Sequence, residues 1–128
     1  MKRCLVLFVD DEPGLVSAVV RRLGLRGIDA HGVTSGIDAL KEIENNRFDV
    51  AVIDVRMPDI GGLELANRLR MRHPHLAVVL MSGHGSVESK EEGEQLGAFA
   101  YLQKPVEIDD LVAVIRDAAE QHGGAGDV

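Results

Sequence analysis

The stretch that decides the fold reads Asp-Val-Ala-Val-Ile-Asp-Val-Arg-Met-Pro and comprises residues 49–58. Its apolar run, residues 50–53, is too short for a helix and rich in β-branched side chains, which indicates a strand buried on both faces. The run ends in the carboxylate of Asp54, and Pro58 soon afterwards cannot continue a β-ladder. Because the ligand sites of a parallel sheet lie at the carboxyl ends of its strands, Asp54 is predicted to lie at such a site.

Four more segments have the length and apolar content of strands, and a segment with helical periodicity follows each of the five strands. The predicted strands are residues 4–9, 28–33, 50–53, 76–81 and 98–102. The predicted helices are residues 13–24, 35–45, 63–73, 87–96 and 108–122. Strand and helix therefore alternate five times, which predicts one α/β domain with a parallel sheet, right-handed crossovers and helices on both faces. The domain is predicted to span residues 1–122, and residues 123–128 are predicted to form a disordered tail.

Composition narrows the class of protein. The chain has 128 residues, a size that favours a single domain, and 45% of them are apolar. The formal net charge is −7 and no Lys/Arg cluster stands out, which argues against direct nucleic-acid binding. No run approaches the length of a membrane span and no signal-peptide pattern opens the chain, so we expect a cytoplasmic protein without membrane contact. Cys4 is the only cysteine, which excludes disulfides and cysteine metal clusters within the chain.

Four of the predicted strands end in chemically distinctive residues. These residues are Asp10 and Asp11, Asp54, Ser82, and Lys104. Each alone would usually be a helix cap, a turn residue or a surface lysine, but the topology brings all of them to one edge of the sheet. Clustered carboxylates repel one another unless a cation joins them, and oxygen ligands suit Mg²⁺. A hydroxyl and an ammonium group beside that ion could hold phosphoryl oxygens, and a carboxylate can itself act as the nucleophile. The site is interpreted as an aspartate that accepts a phosphoryl group.

This set of residues resembles that of the receiver domains of two-component response regulators. The residues that carry the resemblance are Asp10-Asp11, Asp54, Met57-Pro58, Ser82-Gly83, Tyr101 and Lys104-Pro105. The resemblance covers the chain to about His122, and residues 80–85 and 97–102 are most similar to receivers of nitrogen-regulator transcription factors. It implies a flavodoxin-like, doubly wound sheet of five parallel strands in the order 2-1-3-4-5, with five helices.

The resemblance also implies a metal-dependent acceptor. Asp54 would accept the phosphoryl group from a sensor histidine kinase or a phosphotransfer protein. Asp11 would bind Mg²⁺ directly, together with Asp54 and the backbone carbonyl of Arg56, while Asp10 would act through water. Beyond accepting and slowly hydrolysing this phosphoryl group, the protein would not be an enzyme.

The remaining roles implied by the resemblance concern the switch and the rim of the site. Ser82 would bond to the phosphoryl group, and Lys104 would pair with it from across the site. Tyr101 would swing inward once Ser82 is drawn towards the phosphoryl group. Arg56 and His84 would lie at the mouth of the pocket. Their side-chain chemistry then predicts that Arg56 shields the phosphate and that His84 orients a water molecule; the alternative is that both simply point into water.

Two features of the sequence depart from the family pattern. Val106 follows Lys104-Pro105, whose peptide bond is expected to be cis, where the family very often has phenylalanine. The fourth helix offers few apolar side chains, and Gly93 costs about 1 kcal/mol relative to alanine in a helix interior. We therefore predict that this helix is the least stable element. The resemblance also allows a homodimer through the face formed by the fourth helix, the fifth strand and the fifth helix.

Three other functions were considered. A haloacid-dehalogenase-type phosphatase needs a second acid two residues after its nucleophile, and Arg56 stands there. A flavodoxin-like cofactor binder needs a phosphate loop after the first strand, where the acidic residues 10–12 would repel a phosphate. A degenerate receiver that only binds proteins would not need the intact set of acids, serine and lysine. The kinase, the output and the question of a stand-alone protein or part of a larger one stay open.

Overall fold

The computed structural model describes residues 4–83 and 87–123. Within these residues the strands are β1 Leu5–Val9, β2 Asp29–Val33, β3 Val50–Asp54, β4 Ala77–Ser82 and β5 Ala100–Gln103. The helices are α1 Pro13–Leu25, α2 Gly36–Asn45, α3 Gly62–Arg72, α4 Val87–Gln95 and α5 Ile108–Ala118, and a π-helical turn, Ala119–Gly123, follows α5. None of the helices described is both long enough and apolar enough to cross a membrane.

The strands form one parallel sheet in the order β2-β1-β3-β4-β5, so the predicted flavodoxin-like architecture is confirmed. The carboxyl ends of the central strands lie level with one another. In the register of the sheet Asp54 pairs with Met81, and Ser82 pairs with Gln103. The sheet therefore presents the last residues of β3 and β4 side by side at one edge.

The core lies on both faces of the sheet, because successive side chains of a strand point to opposite faces. In β1, Val6 and Phe8 pack into the layer formed with α1 and α5, whereas Leu7 and Val9 pack into the layer formed with α2 and α3. Every residue of β3 and β4 is buried. Each large apolar side chain buried in this way contributes roughly 1.5–3 kcal/mol, so the strand ends at the site rest on a well-packed sheet.

The ends of several elements differ from the predicted ones. Asp54 and Ser82 are the last residues of their strands rather than the first residues of loops. β5 begins at Ala100 rather than Ala98, and it follows a turn at Gly97, whose φ angle is +81°. The predicted cis bond between Lys104 and Pro105 is present. Ser35 caps α2, since its side chain accepts a hydrogen bond from the N–H of Asp38 at 3.1 Å.

The fourth helix forms, and its backbone comes close to the sheet at Gly93. Gly93 is buried, and a Cβ atom there would lie 2.7 Å from Cδ1 of Leu80. Arg70 of α3 donates hydrogen bonds to the carbonyl oxygens of Leu96 and Gly97 at the end of α4. Helix propensity alone marks Gly93 as unfavourable in α4 and gives no sign of this close packing. The stability of α4 relative to the other helices stays a prediction.

Candidate functional site

Three carboxylates meet at the carboxyl edge of the sheet. Asp10 and Asp11 follow β1, Asp54 ends β3, and one oxygen from each lies within 4.8 Å of the others. Asp10 is fully buried and Asp54 is 6% exposed, whereas Asp11 is exposed. Two backbone N–H groups orient these acids: that of Glu12 donates to Asp10 at 3.0 Å, and that of Arg56 donates to Asp54 at 3.1 Å.

Lys104 joins the two buried acids. Its Nζ lies 2.5 Å from Oδ2 of Asp10 and 3.3 Å from Oδ2 of Asp54. The backbone N–H of Lys104 donates to the carbonyl oxygen of Ser82 at 2.8 Å, which fixes the start of the loop after β5. Burial alone would lower the pKa of Lys104, but hydrogen bonds and charge attraction from Asp10 and Asp54 outweigh it and raise the pKa above its usual value. Lys104 is therefore held as a cation.

The charges in this site do not balance, because one ammonium group faces three carboxylates. Clustered carboxylates favour a bound cation, and an all-oxygen donor set is the kind that Mg²⁺ uses. Asp10, Asp11 and Asp54 thus fit a divalent ion, which agrees with the expectation from the sequence. The same acids would repel a phosphate unless an ion were bound with it.

Ser82 ends β4, the strand beside that of Asp54, and Tyr101 lies on the next strand, β5. Ser82 is 2% exposed, and Tyr101 is half-buried and pairs in register with Leu80, two residues before Ser82. The hydroxyl oxygen of Tyr101 is buried and has no hydrogen-bond partner among the described residues. A Cβ atom at Gly93 would lie 3.6 Å from the ring of Tyr101, so α4 packs on that ring.

The two predicted rim residues differ in what the structure reports. The side chain of Arg56 is exposed, and the structure assigns it no ion pair among the described residues. His84 lies outside the described residues, so the structure does not test its predicted place at the rim.

Two residues that follow Asp54 make close contacts that the predicted site does not include. Gly62 lies so close to the end of β3 that a Cβ atom there would be 2.2 Å from the carbonyl oxygen of Asp54, and its N–H donates to Val55 at 2.9 Å. Asp59 accepts hydrogen bonds from the first backbone N–H groups of α2. The Gly-Gly pair after a proline signals a tight loop, but nothing in the sequence indicates that Asp59 reaches α2.

An open groove of about 340 Å³ borders the site on the face that carries α1 and α5. It is lined by Phe8, Glu12, Leu15, Val19, Met81, Gly83, Lys104, Pro105, Val106 and Leu111. Val106, which stands where the family very often has phenylalanine, therefore lines this groove, and a phenylalanine side chain would fill more of the space.

Comparison with known proteins agrees with the geometry. A sequence profile described as "Response regulator receiver domain" matches residues 6–116. The DNA-binding transcriptional regulator NtrC of Escherichia coli K12 is 33% identical over 122 residues, which are 95% of this chain and 26% of that protein. The chain thus spans about a quarter of the length of this relative.

Two solved structures extend the comparison. A CheY-like response regulator receiver domain protein from Methanospirillum hungatei JF-1 superposes with a TM-score of 0.91 at 26% identity, covering 97% of this chain and 99% of that one. The beryllofluoride-activated NtrC4 receiver domain dimer has a TM-score of 0.86 at 30% identity, covering 92% of this chain and 98% of that one.

Proposed function

This chain belongs to the response regulator receiver domain family, and from that premise we propose that it is a signalling switch that Asp54 controls by accepting a phosphoryl group. The observation that supports this most is the cluster of Asp10, Asp11, Asp54 and Lys104 at the carboxyl edge of the sheet. Asp54 is the member of this cluster that ends the central strand β3.

In the proposed reaction, a carboxylate oxygen of Asp54 attacks the phosphorus of a phosphorylated donor. The bond between phosphorus and the donor breaks, and the donor leaves with the electron pair of that bond while Asp54 becomes an acyl phosphate. The N–H of Arg56 holds one oxygen of Asp54 at 3.1 Å, which orients the carboxylate for attack.

Charge neutralisation is the main task of the other residues. Asp11, Asp54 and the backbone carbonyl of Arg56 would hold Mg²⁺ directly and Asp10 would hold it through water, and the ion would supply positive charge to the oxygens of the transferred group. Lys104 would exchange its contact with Asp54 for one with the phosphoryl group, and it keeps Asp10 as a partner 2.5 Å away. In this proposal the hydroxyl of Ser82 donates to the same group.

The proposed switch connects Ser82 with Tyr101. Movement of Ser82 towards the phosphoryl group would open space beside β4, and Tyr101 would move into it. The buried hydroxyl of Tyr101, which lacks a hydrogen-bond partner among the described residues, would gain from such a move, because a buried polar group without a partner destabilises the fold by about 1–3 kcal/mol.

The proposed donor is a sensor histidine kinase or a phosphotransfer protein, and we propose no other enzymatic activity than self-phosphorylation and slow hydrolysis. A homodimer through α4, β5 and α5 is a second partner proposal, supported by the NtrC4 receiver, whose solved structure is a dimer. Glu91, Glu92 and Glu94 are exposed on α4, so such a dimer should be favoured by salt.

The proposal is tested by treating the purified protein with acetyl phosphate and Mg²⁺ and measuring its intact mass. We expect the mass of one phosphoryl group to be added to the wild type and to Asp117→Asn, which removes an exposed carboxylate on α5. Asp54→Asn should add none, and a chelator should abolish the addition to the wild type.

Addition that persists in Asp54→Asn, or with the chelator present, would refute the assignment of the acceptor. A wild type that accepts no phosphoryl group from acetyl phosphate or from any kinase, although it folds, would instead support the degenerate receiver that only binds proteins.

A further inference from the structure

The loop between β3 and α3, residues 55–61, carries the backbone of Arg56 directly beside the acidic cluster. Both of its ends are fixed, because the N–H of Gly62 donates to the carbonyl oxygen of Val55 at 2.9 Å. Gly61, the N-cap residue of α3, provides no side-chain cap. The position of the loop between these ends therefore depends on contacts that its own side chains make elsewhere.

Asp59 makes such a contact with α2, an element distant in sequence. Its Oδ1 accepts from the N–H of Gly36 at 3.1 Å, and its Oδ2 accepts from the N–H of Ile37 at 3.0 Å. These are the first two N–H groups of α2, which have no partner within a helix. The two hydrogen bonds lower the pKa of Asp59, so the carboxylate stays charged at neutral pH.

A packing contact next to these hydrogen bonds holds the loop from the same side. A Cβ atom at Gly36 would lie 2.8 Å from Cβ of Ile60 and 3.2 Å from its Cδ1. Ile60 therefore rests directly on the backbone of α2, and two consecutive loop residues are attached to one helical turn. Ser35 caps the same helix through a different N–H, that of Asp38, and makes no bond to the loop.

We propose that Asp59 is a positioning residue for the metal site: by attaching residues 55–61 to the start of α2, it holds the backbone of Arg56 where Mg²⁺ binds beside Asp54. This inference rests on the proposed function, since it concerns the same ion. Side chains that hydrogen-bond directly to a metal ligand change metal affinity by about 10- to 100-fold when they are replaced. Asp59 acts through three residues of backbone, so the expected change is smaller, roughly three- to tenfold.

The experiment measures Mg²⁺ binding to the unphosphorylated protein by isothermal titration calorimetry. Asp59→Ala should bind Mg²⁺ roughly three- to tenfold more weakly than the wild type. Gly36→Ala should also weaken binding, because its methyl group displaces Ile60 while every charge is kept. Asp59→Asn should weaken binding less than Asp59→Ala does, because its amide oxygen can accept one of the two hydrogen bonds from α2, whereas its N–H₂ group cannot accept the other.

Ser35→Ala is the matched control, since it removes a cap of α2 but no bond to the loop. It should lower the melting temperature and leave Mg²⁺ affinity within about twofold of the wild type. A second readout needs no ion: in a chelator, the amide protons of Gly36 and Ile37 should exchange faster in Asp59→Ala than in Ser35→Ala. Phosphorylation of Asp59→Ala by acetyl phosphate should approach the wild-type rate at saturating Mg²⁺.

Each other result contradicts a stated part of the reasoning. Unchanged Mg²⁺ affinity in Asp59→Ala overturns the positioning role. Equal weakening of Mg²⁺ binding in Asp59→Asn and Asp59→Ala shows that charge, rather than attachment to α2, causes the effect. Equal weakening in Ser35→Ala shows that a general loss of α2 causes it. Either result overturns the inference. Failure of the wild type itself to bind Mg²⁺ overturns the proposed function, and this inference with it.

Discussion

Replacing Asp54 by asparagine is expected to make the metal-free protein more stable, although it removes the proposed phosphoacceptor. The side chain of Asp54 is 8% exposed, and its carboxylate lies within 4.8 Å of carboxylate oxygens of Asp10 and Asp11. Lys104 lies 3.3 Å away but is shared with Asp10. The sign of the effect depends on whether repulsion and burial outweigh this shared ion pair.

The charge interactions of Asp54 nearly cancel. At an effective dielectric constant of about 20, a pair 3.3 Å apart, as for Lys104, attracts by about 5 kcal/mol. Repulsion at the 4.8 Å limit is about 3.5 kcal/mol for the buried Asp10. For the exposed Asp11, solvent reduces the repulsion to about 1 kcal/mol. The sum of this attraction and these two repulsions is within about 1 kcal/mol of zero.

Desolvation therefore decides the sign. Removing a carboxylate from water destabilises the folded state by several kcal/mol, and an amide in the same place does so less. Asparagine keeps the oxygen that accepts from the N–H of Arg56 at 3.1 Å, while its N–H₂ group replaces Oδ2 and gives up the contact with Lys104. We expect Asp54→Asn to raise the free energy of unfolding in a chelator by about 1–3 kcal/mol.

Urea unfolding followed by far-ultraviolet circular dichroism measures this difference with chelator and with Mg²⁺. At a Mg²⁺ concentration about 100 times its Kd, the wild type should gain about 2.7 kcal/mol, whereas the variant lacks one of the ligands and should gain less. The stability difference should therefore shrink or reverse when Mg²⁺ is added. Asp117→Asn removes the same charge far from the cluster and should follow the wild type in both conditions.

Two results would refute this reasoning. If Asp54→Asn is less stable than the wild type in chelator, the ion pair with Lys104 outweighs repulsion and burial. If Mg²⁺ stabilises both proteins equally, Asp54 is not a ligand of the ion that binds.

Three further predictions concern other parts of the chain. Burial raises the pKa of the Cys4 thiol from 9.0 to about 11. Near neutral pH its reaction with dithionitrobenzoate should therefore be roughly 100-fold slower in the native than in the unfolded protein, and comparable rates would contradict this. Gly93→Ala gains about 1 kcal/mol of helix propensity but places a methyl group 2.7 Å from the buried Leu80, where overpacking costs about 1–3 kcal/mol. Urea unfolding should therefore show a net loss of about 1 kcal/mol, and a gain would mean that α4 can shift freely. Arg56→Ala should shorten, and His84→Ala should lengthen, the half-life of the phosphorylated protein; changes below about twofold, or roughly 0.5 kcal/mol of barrier, would make both residues bystanders.

The sheet could be predicted from sequence because its signal is local. Short apolar runs, each followed by a segment of helical period, determine an alternating α/β chain, and the rules of parallel connection then bring the strand ends together. The carboxylates of Asp10 and Asp54 and the ammonium group of Lys104 lie at those ends, so their proximity followed from topology alone. The sequence could not indicate that Lys104 approaches Asp10 more closely than Asp54, since that depends on tenths of an ångström.

Contacts between elements distant in sequence could not be predicted. Asp59 could have capped its own loop, and nothing in its neighbourhood indicates that α2 starts beside it. Gly93 was judged by helix propensity, a local quantity, whereas its role depends on how closely α4 approaches Leu80. Both residues act through contacts between two packed elements, and the residues around them in the sequence give no signal of such contacts.

The buried strands and the contacts between distant elements differ in how easily they can move. Asp54 ends the fully buried strand β3, and Asp10 and Asp11 directly follow β1, so that displacing these strands would disrupt the core on both faces of the sheet. The proposed switch acts instead at Tyr101, which is half-buried, and beside α4, which packs on the ring of Tyr101 at Gly93. Breaking a few contacts of this kind costs little free energy compared with moving a strand. A single phosphoryl group, which adds charge at one edge of the sheet, can therefore shift these segments while the acidic cluster keeps its geometry.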